Sequence, residues 1–397
     1  MTTLAPRNAD EVIDAVRWAM NAGEALEIIG TGTRRELGRP VDAPHVLDVA
    51  ALRGVLDYEP EELVLTALPG TPLAEIENLL ATRKQCLAFE PPYLTGAGTL
   101  GGTVSIGLSG PRRVKAGAVR DHVLGFTAVS GRGELFKAGG KVVKNVTGYD
   151  LPKLITGSYG TLAVLTELTV KVLPAPEDTR TLIISGQTAA DAVRTMTSVL
   201  QSTADASAAC YVPQNVHKDV PTARGAADSA STAFRLEGVS PSVEFRLTRL
   251  REQLASAGEI AILDREASLD FWRAIRDVTP LMRDAARALW RVSVPPAQGA
   301  EVLARIQASV PDARVFLDWG GGLIWLQAPN DSDVAKIRAA FTQSGGHATL
   351  IRAPVDVRRS VNVFQPQPDA LAALSSRVKQ QFDPRRVLNP GRMYAGV

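Results

Sequence analysis

The chain of 397 residues has few of the residues that build metal centres and disulfide scaffolds. It contains two cysteines, Cys86 and Cys210, and four histidines that stand far apart from one another. A zinc ribbon or an iron–sulfur cluster needs about four cysteine ligands, so we expect no such site and no other metal site in this chain. Two cysteines do not make a disulfide framework either, which favours a reducing, cytoplasmic compartment.

The chain also lacks a charge excess and a long apolar run. Lysine and arginine number 44 and aspartate and glutamate 42, a difference of +2, so the sequence lacks the basic excess of a general nucleic-acid binder. No run approaches the roughly 18 apolar residues of a membrane span, and the start shows no basic-then-apolar signal segment. We therefore expect a cytoplasmic protein that could meet the inner face of a membrane only through a partner complex.

The first glycine-rich loop, Gly30–Thr33, follows the predicted strand 25–29. The pair superficially matches the Rossmann fingerprint, but Arg35 stands where the third glycine should be. Pro40 and Pro44 interrupt the segment that should form the crossover helix. The loop is then either a tight turn between strands or a nest of backbone N–H groups that binds a phosphate.

Glycine is frequent in the sequence, with 33 residues crowded most densely between Gly96 and Gly160. GAGTLGGTVSIGLSG and GKVVKNVTGYDLPKLITGSYG combine glycine with Ser and Thr, and we predict a strand for TVSIGL (103–108). Because glycine loses much backbone entropy on folding, such density needs a compensating gain. Close approach of the backbone to a large anionic ligand would provide it, and a sheet with sharp turns is the alternative.

The order of predicted elements indicates an α+β protein with a linker at LPAPED (173–178). A first helix begins after Asn8, and further helices are predicted at 243–254 and 269–289, with a mobile loop at 217–233. From 290 to 351 the order β-α-β-β-α-β is that of a ferredoxin-like unit, and no other repeat is evident. The predicted domains are 1–175, an α/β cap over 180–345, and a C-terminal segment, 346–397.

Taken together, these residues resemble the FAD-binding domain of the vanillyl-alcohol-oxidase/PCMH-type family, and within it the flavin subunits of bacterial glycolate oxidase. The most specific stretches are AGAVRDHVLGFTAVSGRGE, VVKNVTGYDLPKLITGSYGTLAVLTE and FDPRRVLNPGRM. The resemblance covers residues 6–174 and 345–393, and the middle of the chain matches only loosely. It implies a two-subdomain FAD-binding domain, a ferredoxin-like α/β cap and a C-terminal tail that returns to the FAD domain.

The resemblance also implies which residues bind FAD. They are Gly30, Thr31, Gly32 and Thr33 in the first loop, Thr99, Leu100, Gly101, Gly102, Ser105, Gly107 and Ser109 in the second, Gly160 and Val164 in GTLAV, and Pro92 and Asn389 as weaker matches. Relatives that attach FAD to histidine carry that residue just after the first loop. Here the loop continues Arg34-Arg35-Glu36-Leu37, so we expect FAD to be bound without a covalent link.

The implied function is FAD-dependent oxidation of glycolate to glyoxylate, with electrons leaving through a partner. The implied partners are a paralogous FAD-binding catalytic subunit and an iron–sulfur subunit. Catalytic relatives carry a His-x-Gly-Asp-Gly-Asn-x-His metal segment that this chain lacks, so no catalytic residue is assigned. Two alternatives stay open: a non-catalytic FAD-binding subunit for interaction or electron transfer, and an independent dehydrogenase of D-lactate or another 2-hydroxy acid.

Five arginines are further candidates for binding an anion. Arg352, Arg358 and Arg359 could hold a carboxylate, and Arg112 and Arg113, which follow the second loop, could face a phosphate. Solvated surface charge is the alternative for each of them.

Three large apolar residues, Phe271, Trp272 and Trp290, could anchor a partner subunit. Packing in the core is the alternative role for each.

Overall fold

The computed structural model describes residues 2–94, 96, 98–141, 148–221 and 229–397. Its contacts divide the chain into two compact units. The first comprises Met1–Ser109, Gly117–Ala175 and Arg358–Val397, and the second comprises Gly110–Ala116 and Pro176–Val357. Among the described residues, no helix has both the length and the apolar character needed to cross a bilayer.

Strands and helices are numbered along the chain. The strands are β1 (Thr2–Leu4), β2 (Leu26–Ile29), β3 (His45–Asp48), β4 (Val55–Glu59), β5 (Val64–Ala67), β6 (Gln85–Cys86), β7 (Val123–Ser130), β8 (Leu135–Gly139), β9 (Ala163–Lys171), β10 (Leu173–Pro174), β11 (Asp178–Ser185), β12 (Ala208–Val212), β13 (Ser231–Gly238), β14 (Glu259–Leu263), β15 (Arg287–Ser293), β16 (Arg314–Asp318), β17 (Leu323–Pro329) and β18 (His347–Arg352). The helices are α1 (Ala9–Ala22), α2 (Leu73–Thr82), α3 (Leu100–Ile106), α4 (Arg113–Ala116), α5 (Val119–His122), α6 (Leu151–Ile155), α7 (Ala189–Leu200), α8 (Gln214–His217), α9 (Ser240–Gln253), α10 (Arg265–Arg276), α11 (Thr279–Met282), α12 (Gly299–Ser309), α13 (Val334–Thr342), α14 (Val355–Ser360) and α15 (Asp369–Phe382).

The first unit contains two larger sheets and two hydrophobic cores. A parallel sheet has the order β1-β3-β2, and an antiparallel sheet has the order β4-β5-β9-β7-β8. Helix α1 buries Val12 and Val16 in a core that also includes Val387 and Leu388, which lie near the C-terminus. The side chain of Asn8 accepts the N–H of Glu11 at 2.9 Å and caps α1, as predicted.

Residues Thr103–Ile106 of TVSIGL belong to helix α3, so the predicted strand is wrong. Helix α3 begins after Thr99, whose Oγ1 accepts the N–H of Gly102 at 3.2 Å, and it ends at Gly107, which has a φ of 70°. The N-terminal cap and the left-handed glycine define both ends of the helix. In this context they outweigh the β preference of residues such as Val104.

The second unit is one sheet of eight strands, in the order β14-β11-β13-β12-β16-β17-β15-β18. The elements from β15 to β18 form the predicted ferredoxin-like unit, with its first and third strands in the middle. The elements from β11 to β14 have the same strand arrangement and the same β-α-β-β-α-β order, except that the short helix α8 lies between β12 and β13. The second unit is therefore a duplicated fold, a repeat that the sequence analysis missed.

Three further predictions in this unit need correction. The predicted helix 269–289 is not continuous: α10 ends at Arg276, Val278 adopts a φ of 56°, and the short helix α11 follows before the chain enters strand β15. The limit predicted at residue 346 is too early, because β18 pairs with β15 in this sheet. The predicted loop 217–233 overlaps α8 and β13, and its residues 222–228 lie outside the described part of the chain.

A buried ion pair within the C-terminal segment connects that segment to the rest of the first unit through Thr161. Lys379 Nζ donates to Asp383 Oδ2 at 2.8 Å, to the carbonyl of Thr161 at 2.7 Å and to that of Leu388 at 2.9 Å. Asp383 also accepts the N–H groups of Val387 and Leu388. Burial lowers the pKa of Lys379, and the contact with Asp383 opposes that shift.

The substitution Lys379→Met should lower the free energy of unfolding by about 3–5 kcal/mol, because it leaves the carboxylate of Asp383 buried without its cation. Urea unfolding of the full chain measures the change. Arg377→Met, at an exposed position of the same helix, is the control and should shift stability by less than about 0.5 kcal/mol. Equal stability of the two variants would contradict the structural role of the pair.

Candidate functional site

A pocket in the first unit is formed by segments that are far apart in the sequence. It encloses about 730 Å³ of empty space, including its open mouth. The lining residues are 28–35, Val49, Pro69, Thr99, Gly101, Gly102, Ser105, Ile106, Tyr159, Gly160, 163–165, Asn389 and Arg392. The pocket thus brings both glycine loops, the GTLAV segment and the C-terminal motif together.

The first and second loops touch at positions where only glycine fits. A Cβ on Gly30 would lie 2.9 Å from Thr99 Oγ1. A Cβ on Gly98 would lie 2.9 Å from Thr33 Oγ1, and Gly98 also has a φ of +67°. These glycines allow the backbones of the two loops to approach each other and form one wall of the pocket.

Asn389 connects the strand before the first loop to the GTLAV segment. Its Oδ1 accepts the N–H of Ile28 at 2.9 Å, and its Nδ2 donates to the carbonyl of Tyr159 at 2.8 Å. Asn389 has a φ of 41°, a conformation that asparagine tolerates better than most residues. A Cβ on Gly160, whose φ is +69°, would lie 2.8 Å from Asn389 Nδ2, so glycine is needed there.

Arg392 holds the backbone that follows the first loop. Its Nη2 donates to the carbonyls of Arg34 at 3.0 Å and Arg35 at 3.2 Å, and its Nε donates to that of Leu37 at 3.0 Å. Burial lowers the pKa of Arg392, but an arginine pKa lies so far above neutrality that the group stays charged. Arg392 therefore orients the loop through its carbonyl groups.

The pocket wall carries net positive charge. Glu27 pairs with Arg35 and lies 3.5 Å from Nη1 of Arg392, and the hydrogen bond to Glu27 raises the pKa of Arg35. Arg34 donates to the carbonyls of Pro92 at 2.8 Å and Tyr93 at 3.0 Å. The guanidinium groups of these three arginines and the carboxylate of Glu27 together carry a net charge of +2.

Most of the residues predicted to bind the cofactor line this pocket. They are Gly30, Thr31, Gly32, Thr33, Thr99, Gly101, Gly102, Ser105, Gly160, Val164 and Asn389. Four do not line it. Leu100 is fully buried in the core, Gly107 ends α3, Ser109 Oγ accepts the N–H of Val119, and Pro92 offers its carbonyl to Arg34.

Sequence reasoning did not identify four polar residues of the pocket: Arg34, Arg35, Tyr159 and Arg392. The basic pair after the first loop and the arginine in NPGRM were the available signals. Neither signal shows by itself which backbone groups the arginine would contact.

The arginines proposed as anion clamps lie elsewhere. Arg358 donates to the carbonyl of Gly38, Arg359 pairs with the exposed Asp42, and Arg352 donates to main-chain carbonyls that include that of Asp284.

The proposed partner anchors are core residues. Phe271, Trp272 and Trp290 are each at most 2% exposed. The proposal that they contact a partner is therefore wrong.

Comparison with known proteins adds the family. Residues 2–139 match the FAD binding domain family. Glycolate oxidase subunit GlcE of Escherichia coli (strain K12) is 36% identical over 97% of this chain and 97% of its own length. The chain belongs to the GlcE family.

A further relative agrees with this assignment, and a solved structure shares the fold. Glycolate oxidase subunit GlcD of Bacillus subtilis (strain 168) is 25% identical over 99% of this chain and 88% of its own. The crystal structure of p-cresol methylhydroxylase with substrate bound covers 98% of this chain and 88% of its own with a TM-score of 0.73. At 14% identity, that likeness shows the fold alone.

FAD is the cofactor of a GlcE-type chain, and the residues of the pocket fit it. The pyrophosphate of FAD carries two negative charges, which match the net charge of +2 on the pocket wall. The glycine loops offer close backbone approach, and backbone N–H groups in such loops bind phosphate. Within the described residues, no group of three or more His, Cys, Asp or Glu side chains is placed to hold a metal ion.

The substitution Gly102→Val should weaken FAD binding by about tenfold or more, because its side chain would enter the pocket 3.3 Å from Thr99 Oγ1. Flavin fluorescence titration of the apoprotein measures the affinity, and its thermal midpoint reports the fold. Gly140→Val is the matched control, since a Cβ there meets nothing within 4 Å. Wild-type affinity in Gly102→Val would show that the start of α3 does not contact FAD.

Proposed function

We propose that this chain is the FAD-containing subunit of a glycolate oxidase (dehydrogenase) complex that oxidises glycolate to glyoxylate. The observation that carries the proposal is the 36% identity to GlcE across nearly the whole of both chains. The pocket supports it, because residues from both glycine loops and the C-terminal motif line one cavity that suits FAD. The chain is then one component of a 2-hydroxy acid oxidoreductase.

Oxidation of glycolate removes a hydride from carbon and a proton from the hydroxyl group. Bound FAD supplies the two-electron acceptor for such a reaction. The part of the chain's own residues is to hold that cofactor: Arg392 and Asn389 fix the loops, and Arg34 and Arg35 provide positive charge beside the pyrophosphate site.

The proposed partners are a paralogous FAD-binding catalytic subunit and an iron–sulfur subunit. The name of GlcD describes another glycolate oxidase subunit, and its similarity extends over 99% of this chain. Electrons would leave through the iron–sulfur partner, because Cys86 and Cys210 are too few to ligate a cluster. We place this complex in the cytoplasm or at the inner face of the plasma membrane.

Acid or heat should release the flavin from the purified holoprotein into the supernatant. The expectation rests on the pocket, whose described lining includes neither histidine nor cysteine, and on the Arg-Arg-Glu-Leu sequence after the first loop. Absorbance of the supernatant and of the washed pellet measures the partition. Flavin that stays with the denatured chain would contradict non-covalent binding.

The chain alone should reduce an artificial acceptor with glycolate only weakly, and full activity should require the partner subunits. Steady-state assays of the FAD-loaded chain, with and without a co-purified GlcD-type subunit, measure the difference. Turnover by the isolated chain that equals that of the complex would favour an independent dehydrogenase. Activity of the complex that survives removal of this chain's flavin would favour the non-catalytic alternative.

A further inference from the structure

An open groove lies between the edge strand β1 and helix α1 of the first unit. It encloses about 680 Å³ of empty space, including its open mouth, and it is lined by residues 4–6, Glu11, Asp14, Ala15 and Trp18. This β1 groove shares no lining residue with the flavin pocket. The binding of FAD therefore does not account for it.

One wall of the β1 groove is a strand whose outer edge is open. Among the described residues, β1 pairs only with β3, in the sheet order β1-β3-β2. The N–H of Thr2 donates to the carbonyl of Pro44 at 3.3 Å, so Thr2 directs its main-chain groups towards β3. Because successive residues of a strand direct these groups to opposite sides, the N–H and C=O of Thr3 point away from β3. A strand edge of this kind can pair with an extended segment of another chain.

The other wall of the β1 groove is one face of α1. Four of its residues have the spacing i, i+3, i+4 and i+7 and therefore lie on one side of the helix: Glu11, Asp14, Ala15 and Trp18. At about 1.5 Å per residue, the face from Glu11 to Trp18 is about 10 Å long, which is the length of about three residues of an extended strand. The helix face thus matches the three-residue strand β1 in length.

Trp18 is positioned at one end of the groove and is 43% exposed. Its ring packs edge-to-face with that of His45, with the ring centroids 4.8 Å apart and the planes at 80°. His45 in turn pairs with Glu24 and lies opposite Thr2 in the sheet, which places Trp18 near the start of β1. The face of an exposed indole ring attracts the cation of a lysine or an arginine.

The lining of the β1 groove contains two carboxylates and no basic side chain. Glu11 accepts the main-chain N–H of Arg7 at 2.8 Å, which helps to fix its position. The basic residues nearest in sequence, Arg7 and Arg17, are exposed and do not line the groove. The lining therefore carries a charge of −2 from Glu11 and Asp14, which is complementary to a basic side chain.

We propose that the β1 groove binds an extended segment of a partner protein that carries a lysine or an arginine. The main chain of the segment pairs with the outer edge of β1, and its basic side chain contacts Trp18 and the carboxylate of Asp14. In such a complex the main-chain hydrogen bonds provide affinity, and the side chain provides specificity. The proposal involves neither FAD nor a hydroxy acid, so it does not depend on the proposed function.

NMR titration of the FAD-loaded full chain, produced with isotopically labelled tryptophan, tests the proposal with the blocked peptide Thr-Val-Lys-Val-Thr. The indole signal of Trp18, identified by its loss in Trp18→Phe, should shift and saturate, whereas the signals of the other tryptophans should not. The same peptide with glutamate in place of lysine should bind about tenfold more weakly or worse, because its charge is repelled by the groove.

The substitution Asp14→Lys should weaken binding of the lysine peptide by about tenfold or more, because it reverses one charge of the groove. Glu62→Lys is the matched control, since it makes the same change in net charge at an exposed position of the first unit outside the groove. If Asp14→Lys does not fold, Asp14→Asn should still weaken binding, by a smaller factor.

The absence of a saturable shift of the Trp18 signal, equal binding of the lysine and glutamate peptides, or wild-type affinity in both Asp14 variants would each overturn the proposal. N-acetyl-lysinamide offers the cation without a strand, and it should bind about tenfold more weakly than the peptide or worse. Equal affinity of N-acetyl-lysinamide and the peptide would reduce the groove to a cation site and would overturn the docking of an extended segment.

Discussion

The flavin pocket depends on the attachment of the C-terminal segment to the first unit. Ile28 and Asn389 are 361 residues apart in sequence and share one hydrogen bond, and Leu26 bridges to Leu388 beside them. These contacts are held by the buried pair of Lys379 and Asp383, whose hydrogen-bonding atoms are matched by backbone groups. A buried ion pair stabilises a fold when its remaining donors and acceptors are satisfied, as they are here. The same pair thereby brings Asn389 and Arg392 to the first loop.

Elements with strong local signals could be predicted from the sequence. The cap at Asn8 and the ferredoxin-like order after residue 290 are examples, because capping and hydrophobic period are local properties. Helix α3 was not recognised in this way, since its β-branched residues favour a strand, and the cap from Thr99 to Gly102 together with the left-handed Gly107 outweighs that preference. The repeat of β11 to β14 was not predicted, because these strands share their topology with β15 to β18 but share no evident sequence pattern with them.

The candidate site likewise has residues that the sequence could identify and residues that it could not. Glycines such as Gly30 and Gly160 were found because close backbone approach requires that residue, and a family resemblance gave their place. The contributions of Arg34 and Arg392 could not be predicted, because no local sequence pattern shows whether an arginine donates to main-chain carbonyls or faces solvent. Its role depends on which distant segments the fold brings together. Long-range polar contacts are thus the part of this pocket that sequence patterns leave open.

Duplication explains where the second unit concentrates its charge. Strands β12 and β16 occupy equivalent places in the two repeats and pair with each other at Tyr211 and Leu317, which makes one continuous sheet. Arg235 lies on β13, the strand beside β12, and Asp318 is the last residue of β16. The two repeats therefore meet where buried charges from both accumulate, and the segment 110–116 adds Arg112 and Arg113 from elsewhere in the chain. Because side chains from three separate segments meet there, their ion pairs and ring contacts could not be predicted from the sequence pattern of any one segment.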